Sequence, residues 1–355
     1  MILRFARFAV LALALTPLGV MSAAAQTAAG VPPDRPGAPY NTPSMNYVAD
    51  MDFFKLPPGR KMGSSSAVRG DSKGHIWIVD RCAANDCSGS SLDPIMEFDA
   101  NGNFIKAFGA GLLLFPHGFT IDAQDNLWIT DGHVDPAHRL GDVVREFSPD
   151  GTLIRTLGKP GVSGSGHDTL HEPSSVLVAP DGSIFVGDGH TEGQGNARIV
   201  KYDANGKYLM EWGGHGKGPG QFEVPHSLAL DSQGRLYVAD RANNRIQIFT
   251  QDGKFLGQMH QFGRNSGIFI DANDILYATD SESREASGYG HHPGWRRGIR
   301  IGSVRDGVVT TFIPDDDLNP DGGTTSGGEG IWSDGKGHVY SAQVEQKRVV
   351  RYTLK

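Results

Sequence analysis

Residues 222–256 read FEVPHSLALDSQGRLYVADRANNRIQIFTQDGKFL, and four strands can be marked in them. An apolar run follows Pro225-His226 and stops at Asp231, where Asp-Ser-Gln-Gly makes a turn. LYVAD is a branched and aromatic run ending on Asp240, RIQIF follows, and Gln-Asp-Gly leads into the last strand. Asp-Gly tolerates the positive φ of a tight hairpin turn, so the stretch reads as a four-stranded antiparallel meander.

The same element occurs six times: DSKGHIWIVD (71–80), DAQDNLWITD (122–131), APDGSIFVGD (179–188), DSQGRLYVAD (231–240), DANDILYATD (271–280) and DGKGHVYSA (334–342). Repeated meanders of this length are how propeller blades are written. The sixth unit stops after its third strand, RVVRYTLK (348–355), and NYVADMDFFKLPPG (46–59) resembles the fourth strands of other units. Pairing chain start with chain end closes the ring and removes an exposed edge. The expectation is an all-β, six-bladed propeller over residues 46–355, closed by an N-terminal strand in the last blade.

Bulk properties narrow the partners. The 355-residue chain has 48 glycines, a net charge of −7 and no basic run, which argues against nucleic acid. Its opening, MILRFARFAVLALALTPLGVMSAAAQ, has two arginines, an apolar run broken by Pro17 and Gly19, and a small-residue cleavage site after Ala25. Residues 1–25 therefore read as a signal peptide and 26–45 as a flexible lead-in, with export to a periplasmic or secreted location and no membrane span. Cys82 and Cys87, the two cysteines, suit a small loop disulfide in such a compartment.

Aligned on the Asp that starts the first turn, the six units place Ser66, His117, Ser174, His226, Ser266 and Glu329 at one position before the innermost strand. The third unit needs an extra bulge at VLVAPDG for this register. Metal-competent side chains fall in alternate blades, at threefold positions around the central channel. Two imidazoles and a carboxylate converging there suit a divalent metal, zinc first and iron second. The plainer alternative is that Pro-His merely begins a strand, with the histidine capping a nearby loop.

Arg81 and Arg241 follow the Asp that ends the second strand, where loops gather at one channel rim. An arginine fork grips a carboxylate through two hydrogen bonds, and the competing reading is a salt bridge with Asp80 or Asp240. Arg245 reads as structural. His190 in GDGHTEG could act as a base near neutral pH, and His133 is its equivalent one blade earlier. His167 and His171 read as loop residues. The insertion 281–302, with His291, His292, Trp295, Arg296 and Arg297, reads as a rim or a surface loop, and 315–323 as a solvated connection.

Residues 222–256 look like an NHL-type repeat. HGFTID, GDGHTEGQGNARIVKYDANGKYLMEWG, GPGQFEVPHSLALD and ADRANNRIQIF together resemble the peptidyl-α-hydroxyglycine α-amidating lyases, over most of residues 60–355. The resemblance implies a catalytic zinc held by three histidines, two of them matching His117 and His226 and the third falling on Glu329. It places Arg81 and Arg241 in the active site and His190 where the family has a catalytic tyrosine. The family's structural calcium uses an aspartate where this chain has Gly330, which makes calcium doubtful.

The implied reaction cleaves the C–N bond of a peptidyl-α-hydroxyglycine, giving an amide and glyoxylate. The substrate would be a small molecule or peptide with a free carboxylate, made by a separate hydroxylating enzyme. The alternatives are another metal-dependent propeller enzyme, such as a lactone or ester hydrolase, and a non-catalytic binding propeller.

Overall fold

The computed structural model describes residues 30–137, 139–317 and 325–355; the signal-peptide reading of 1–25 lies outside them. Six four-stranded antiparallel sheets form six blades. Their innermost strands are Ser65–Gly70, Pro116–Ile121, Pro173–Val178, Pro225–Leu230, Asn265–Ile270 and Gly328–Ser333. Tyr47–Asp50 pairs antiparallel with Arg348–Leu354, Tyr47 opposite Leu354, and so completes blade six. The ring is closed as the repeat count requires. No helix among the described residues is long and apolar enough to cross a membrane.

The repeated Asp at the first turn has two jobs. One carboxylate oxygen of Asp71 accepts the turn's own N–H groups, from Lys73 and His75. The other accepts from an aromatic six residues on: Trp77 Nε1 on Asp71 at 3.0 Å, Trp128 Nε1 on Asp122 at 2.9 Å and Tyr237 Oη on Asp231 at 3.1 Å. Blade three has Ala179 for the Asp and Phe185 for the aromatic. A buried indole N–H or phenol without its acceptor would cost about 1–3 kcal/mol, and phenylalanine has no donor to strand. The extra bulge expected in that unit is absent. Pro173–Val178 has the common six-residue length, and the turn keeps its backbone bonds from Ala179 N to Ser183 O and from Gly182 N to Ala179 O.

The Asp that ends the second strand is buried and pins the segment leading into the innermost strand of its own blade. Asp131 accepts from the backbone N–H groups of Leu114 and Phe115, Asp188 from His171, and Asp240 from Glu223. Each anchored residue lies two or three positions before the channel residue. Between the blades, apolar side chains interlock in clusters such as Phe185, Phe222, Leu228, Val238 and Phe249.

Residues 30–45, where the sequence suggests a flexible lead-in, lie against blades four and five. Val31 is buried among Tyr237, Phe262 and their neighbours. Asp34 meets His260 Nδ1 at 2.9 Å, and Arg300 donates to the Asn41 side chain at 2.7 Å.

Candidate active site

Ser66, His117, Ser174, His226, Ser266 and Glu329 all line the narrow axial channel. Each is the second residue of its innermost strand, and at each the pairing register slips, as between Pro225 and Ser227 in blade four. An extra residue in a bulge loses its ladder partner and is free to aim its side chain elsewhere. Here it aims at the axis.

The alternation of serines and ligand-type residues has a structural basis. Each odd-blade serine fastens the next even blade: Ser66 Oγ donates to the carbonyl of His117 at 2.9 Å, and Ser174 Oγ to that of Pro225 at 2.8 Å. Ser266 reaches Glu329 through Ser281, with Oγ–Oγ at 2.6 Å and Ser281 Oγ to Glu329 Oε2 at 3.1 Å. In return, His117 Nδ1 lies 2.7 Å from the Ser174 carbonyl and His226 Nδ1 lies 2.6 Å from the Ser266 carbonyl.

A carbonyl only accepts, so both histidines carry their proton on Nδ1 and present the Nε2 lone pair to the axis. What those lone pairs meet is another acceptor. Glu329 Oε1 is 3.0 Å from His226 Nε2 and 3.5 Å from His117 Nε2, and both Nε2 atoms are buried without a hydrogen-bond donor. Burial depresses His117, to about 3, and lowers His226 as well, so both rings are neutral at pH 7. Burial pushes Glu329 up, but the charge pairing around it, the Arg241 guanidinium included, outweighs that and holds it well below the usual carboxylate range. Neutral imidazole nitrogens and an anionic oxygen converge with no proton between them. This donor set fits a divalent cation of the zinc or iron type.

His190 joins the cluster from the mouth. One ligand-type atom from each of His117, His190, His226 and Glu329 lies within 4.8 Å of the others. His190 stands on the loop after Ile184–Asp188, half-buried, its ring 4.5 Å from that of His117 and 5.2 Å from that of His226. Burial lowers it well below the ordinary histidine value. Among the described residues no side-chain hydrogen bond locks its tautomer, in contrast to the two ring histidines.

A pocket of about 370 Å³ opens above the channel, with Arg81, Phe115, His190, Arg241, Glu282 and Tyr289 in its wall and Glu329 at its floor. The two arginines differ. Neither pairs with Asp80 or Asp240. Arg241 lies 3.1 Å from Glu282 and 3.5 Å from Glu329, so its charge is compensated within the protein. Arg81 has no carboxylate within ion-pair distance among the described residues. Its guanidinium carbon sits 3.6 Å from the centre of the Phe115 ring, and its nitrogens donate to the Pro116 carbonyl and to Asn85. Asn85 belongs to the loop that the Cys82–Cys87 disulfide closes. Burial lowers Arg81 to about 10, which leaves it cationic at neutral pH.

The remaining sequence candidates fall outside the floor of the pocket. His133 stacks on the far face of Phe115 at 3.8 Å, and His167 stacks on Tyr208 at 4.0 Å. Arg245 is structural: its Nε is 2.9 Å from Asp240. In the insertion, Trp295 packs between His292 and Arg300 rather than over the pocket. Tyr289 is the insertion residue that reaches the wall, donating to Glu282. Glu282 was missed, although it stands two residues beyond Asp280 as His190 stands two beyond Asp188. That spacing could have found it.

The buried neutral imidazole has a consequence for the metal-free protein. His117 binds its proton less readily folded than unfolded, so the folded state loses stability as pH falls from about 6.5 toward 3. Asp131 and Asp188, raised to about 6 by burial, act in the opposite sense over that range. The comparison that isolates the histidine is with His117→Gln. In EDTA, thermal melts should show the wild type losing stability relative to this variant as pH drops through that window. A constant difference would mean that folding leaves the proton affinity of His117 unchanged.

A sequence-family model of the NHL repeat matches residues 222–249. Peptidyl-glycine alpha-amidating monooxygenase A of Xenopus laevis is 33% identical over 263 residues, 69% of this chain and 26% of that one. NHL repeat-containing protein 3 of Homo sapiens is 35% identical over 61% of each chain. Peptidyl-alpha-hydroxyglycine alpha-amidating lyase 1 of Drosophila melanogaster is 32% identical over 56% of this chain and 40% of its own length. The chain thus spans about a quarter of the Xenopus protein and less than two thirds of the other two.

Among solved structures, a gluconolactonase from Xanthomonas campestris superposes with a TM-score of 0.56 at 14% identity, over 83% of this chain and 87% of that one. An inactive virginiamycin B lyase from Staphylococcus aureus gives 0.54 at 14% identity, over 87% of this chain and all of that one. At that identity the likeness is one of fold. The chain is a six-bladed β-propeller of the NHL-repeat type, similar in sequence to the amidating lyases and to NHL repeat-containing protein 3.

Proposed function

We propose that the protein is an exported, metal-dependent lyase that cleaves an N-acyl-α-hydroxyglycine into an amide and glyoxylate. The observation that carries this reading is the convergence of the proton-free Nε2 atoms of His117 and His226 on Glu329, which floors a pocket whose wall holds Arg81, an arginine without an ion pair among the described residues. Relatives named amidating lyases give the reaction class.

In this reading Arg81 binds the substrate carboxylate, because among the described residues no carboxylate lies within ion-pair distance of it, whereas Arg241 holds Glu329 and Glu282 in place. Phe115, stacked against Arg81, fixes the plane of the guanidinium and so the direction from which a carboxylate can dock. His117, His226 and Glu329 would hold zinc or iron. The ion would supply Lewis acidity to the substrate hydroxyl oxygen when bound. His190, neutral and at the mouth side of the cluster, accepts the hydroxyl proton. The electrons of that O–H bond form the aldehyde C=O, the C–N bond breaks, and the departing nitrogen takes the proton that His190 had accepted, becoming the amide and leaving His190 neutral again. The substrate must be hydroxylated beforehand at the carbon next to its carboxylate, so a separate oxygenase would supply it.

The test is glyoxylate release from α-hydroxyhippurate by the full chain loaded with zinc or with iron. Arg81→Ala should raise KM about tenfold or more and change kcat less, since it removes a contact that ground state and transition state share. No glyoxylate with either metal, together with hydrolysis of a simple lactone, would move the protein to the hydrolase alternative.

A further inference from the structure

The channel has a second mouth, on the face away from His190, and its lining is of another kind. A cavity of about 310 Å³ is walled by partly exposed apolar side chains from successive blades: Ile121, Leu177, Leu230, Phe269 and Trp332. One charged residue, Arg69, lies in this wall and also lines the channel above it. Its Nη1 donates to the carbonyls of Val68 and Ile331, and the guanidinium carbon lies 5.6 Å from the centre of the Phe269 ring.

Every other arginine in the channel region has a reason on the substrate side or an acid beside it; Arg69 has neither. Among the described residues no carboxylate comes within ion-pair distance of it, and no hydrogen bond engages its Nε or Nη2. Desolvation lowers it to about 10, with no acidic neighbour to offset the loss, and it remains a cation at neutral pH. A half-buried cation without a counter-ion in an apolar surround is unfavourable until an anion meets it. The volume falls within the range of ~300–1,000 Å³ seen for small-molecule sites.

We infer that the second mouth binds an amphiphilic organic anion, its carboxylate on the guanidinium of Arg69 and its hydrocarbon body against Leu177, Leu230, Phe269 and Trp332. The inference is independent of the reaction assigned to the ring, because it uses none of the ring's side chains. A hydrocarbon chain alone would gain from the apolar wall but would leave Arg69 uncompensated; an inorganic anion would satisfy Arg69 but leave the wall exposed. A ligand with both parts fits both.

Calorimetric titration of the full chain with octanoate and with octanamide tests this. Octanoate should bind one per chain, about tenfold or more tighter than the neutral amide. Arg69→Met should remove that preference while leaving octanamide binding and glyoxylate release as they are, and Trp332 fluorescence should report occupancy, its signal vanishing in Trp332→Phe. The wild-type comparison of acid with amide stands even if Arg69→Met folds poorly. Equal affinity for octanoate and octanamide, or octanoate binding abolished by Arg81→Ala and untouched by Arg69→Met, would overturn the inference, the latter by placing the anion in the upper pocket.

Discussion

His226→Ala should lower tightly bound divalent metal from about one per chain to below about a tenth, and glyoxylate release by about a thousandfold. The reason is that His226, like His117, is a donor prepared in advance. Its Nδ1 proton is committed to the Ser266 carbonyl at 2.6 Å, so its Nε2 lone pair is fixed in direction before any ion arrives. Alanine removes the donor and leaves Glu329 facing a single ring imidazole. The fold should survive, because the strand Pro225–Leu230 keeps its pairing with Leu236–Asp240, and Asp240 still holds Glu223. His190→Ala is the informative contrast. If His190 is the base, this variant keeps its metal and loses turnover; if it is a fourth ligand, metal and turnover fall together. Metal content by mass spectrometry on desalted protein separates the two. An unchanged metal content in His226→Ala would remove the axial site altogether.

The sequence made the ring legible because its positions are fixed by local chemistry that recurs. In every blade but the third an Asp five residues after the channel residue starts the turn, and in blades one to five another ends the next strand, gripping the segment before the innermost strand as Asp131 and Asp240 do. Counting from those carboxylates finds Ser66, His117, His226, Ser266 and Glu329 without any knowledge of the fold. Blade three misled the count only in suggesting a bulge. Ala179 and Phe185 had given up their Asp–aromatic bond together, and a rule built on the Asp could not show that the turn persists without it.

What was not legible depends on distance between blades. Arg81 and Arg241 occupy the same position in their repeats, yet Glu282 from blade five pairs with Arg241, and among the described residues no acid comes within ion-pair distance of Arg81. The pairing of odd-blade serines with even-blade ligands likewise appears only once neighbouring blades meet. Arg69 is the extreme case. Its interest lies in the lack of an acid within ion-pair distance among the described residues, and no spacing in the chain encodes that.

Glu329 is where the sequence departs furthest from its relatives' implied three-histidine pattern, and its variants should show the second large effect. Glu329→Ala should weaken metal binding by about a hundredfold or more, and Glu329→His should keep it near one per chain. The carboxylate has two roles in the structure: its Oε1 faces both imidazoles, and the same oxygen lies 3.5 Å from Arg241. Arg241 retains Glu282 at 3.1 Å when Glu329 is lost, so the alanine variant does not strand a buried cation, and its melting temperature should fall only modestly. Histidine in place of Glu329 removes one negative charge from the ring. A bound ion would then be the stronger Lewis acid, and kcat for glyoxylate release should equal or exceed that of the wild type. If instead Glu329→Ala binds metal as tightly as the wild type, Glu329 serves only as a counter-ion for Arg241, and the ring must be completed by His190. The metal affinities of these two variants therefore decide which side chain is the third donor.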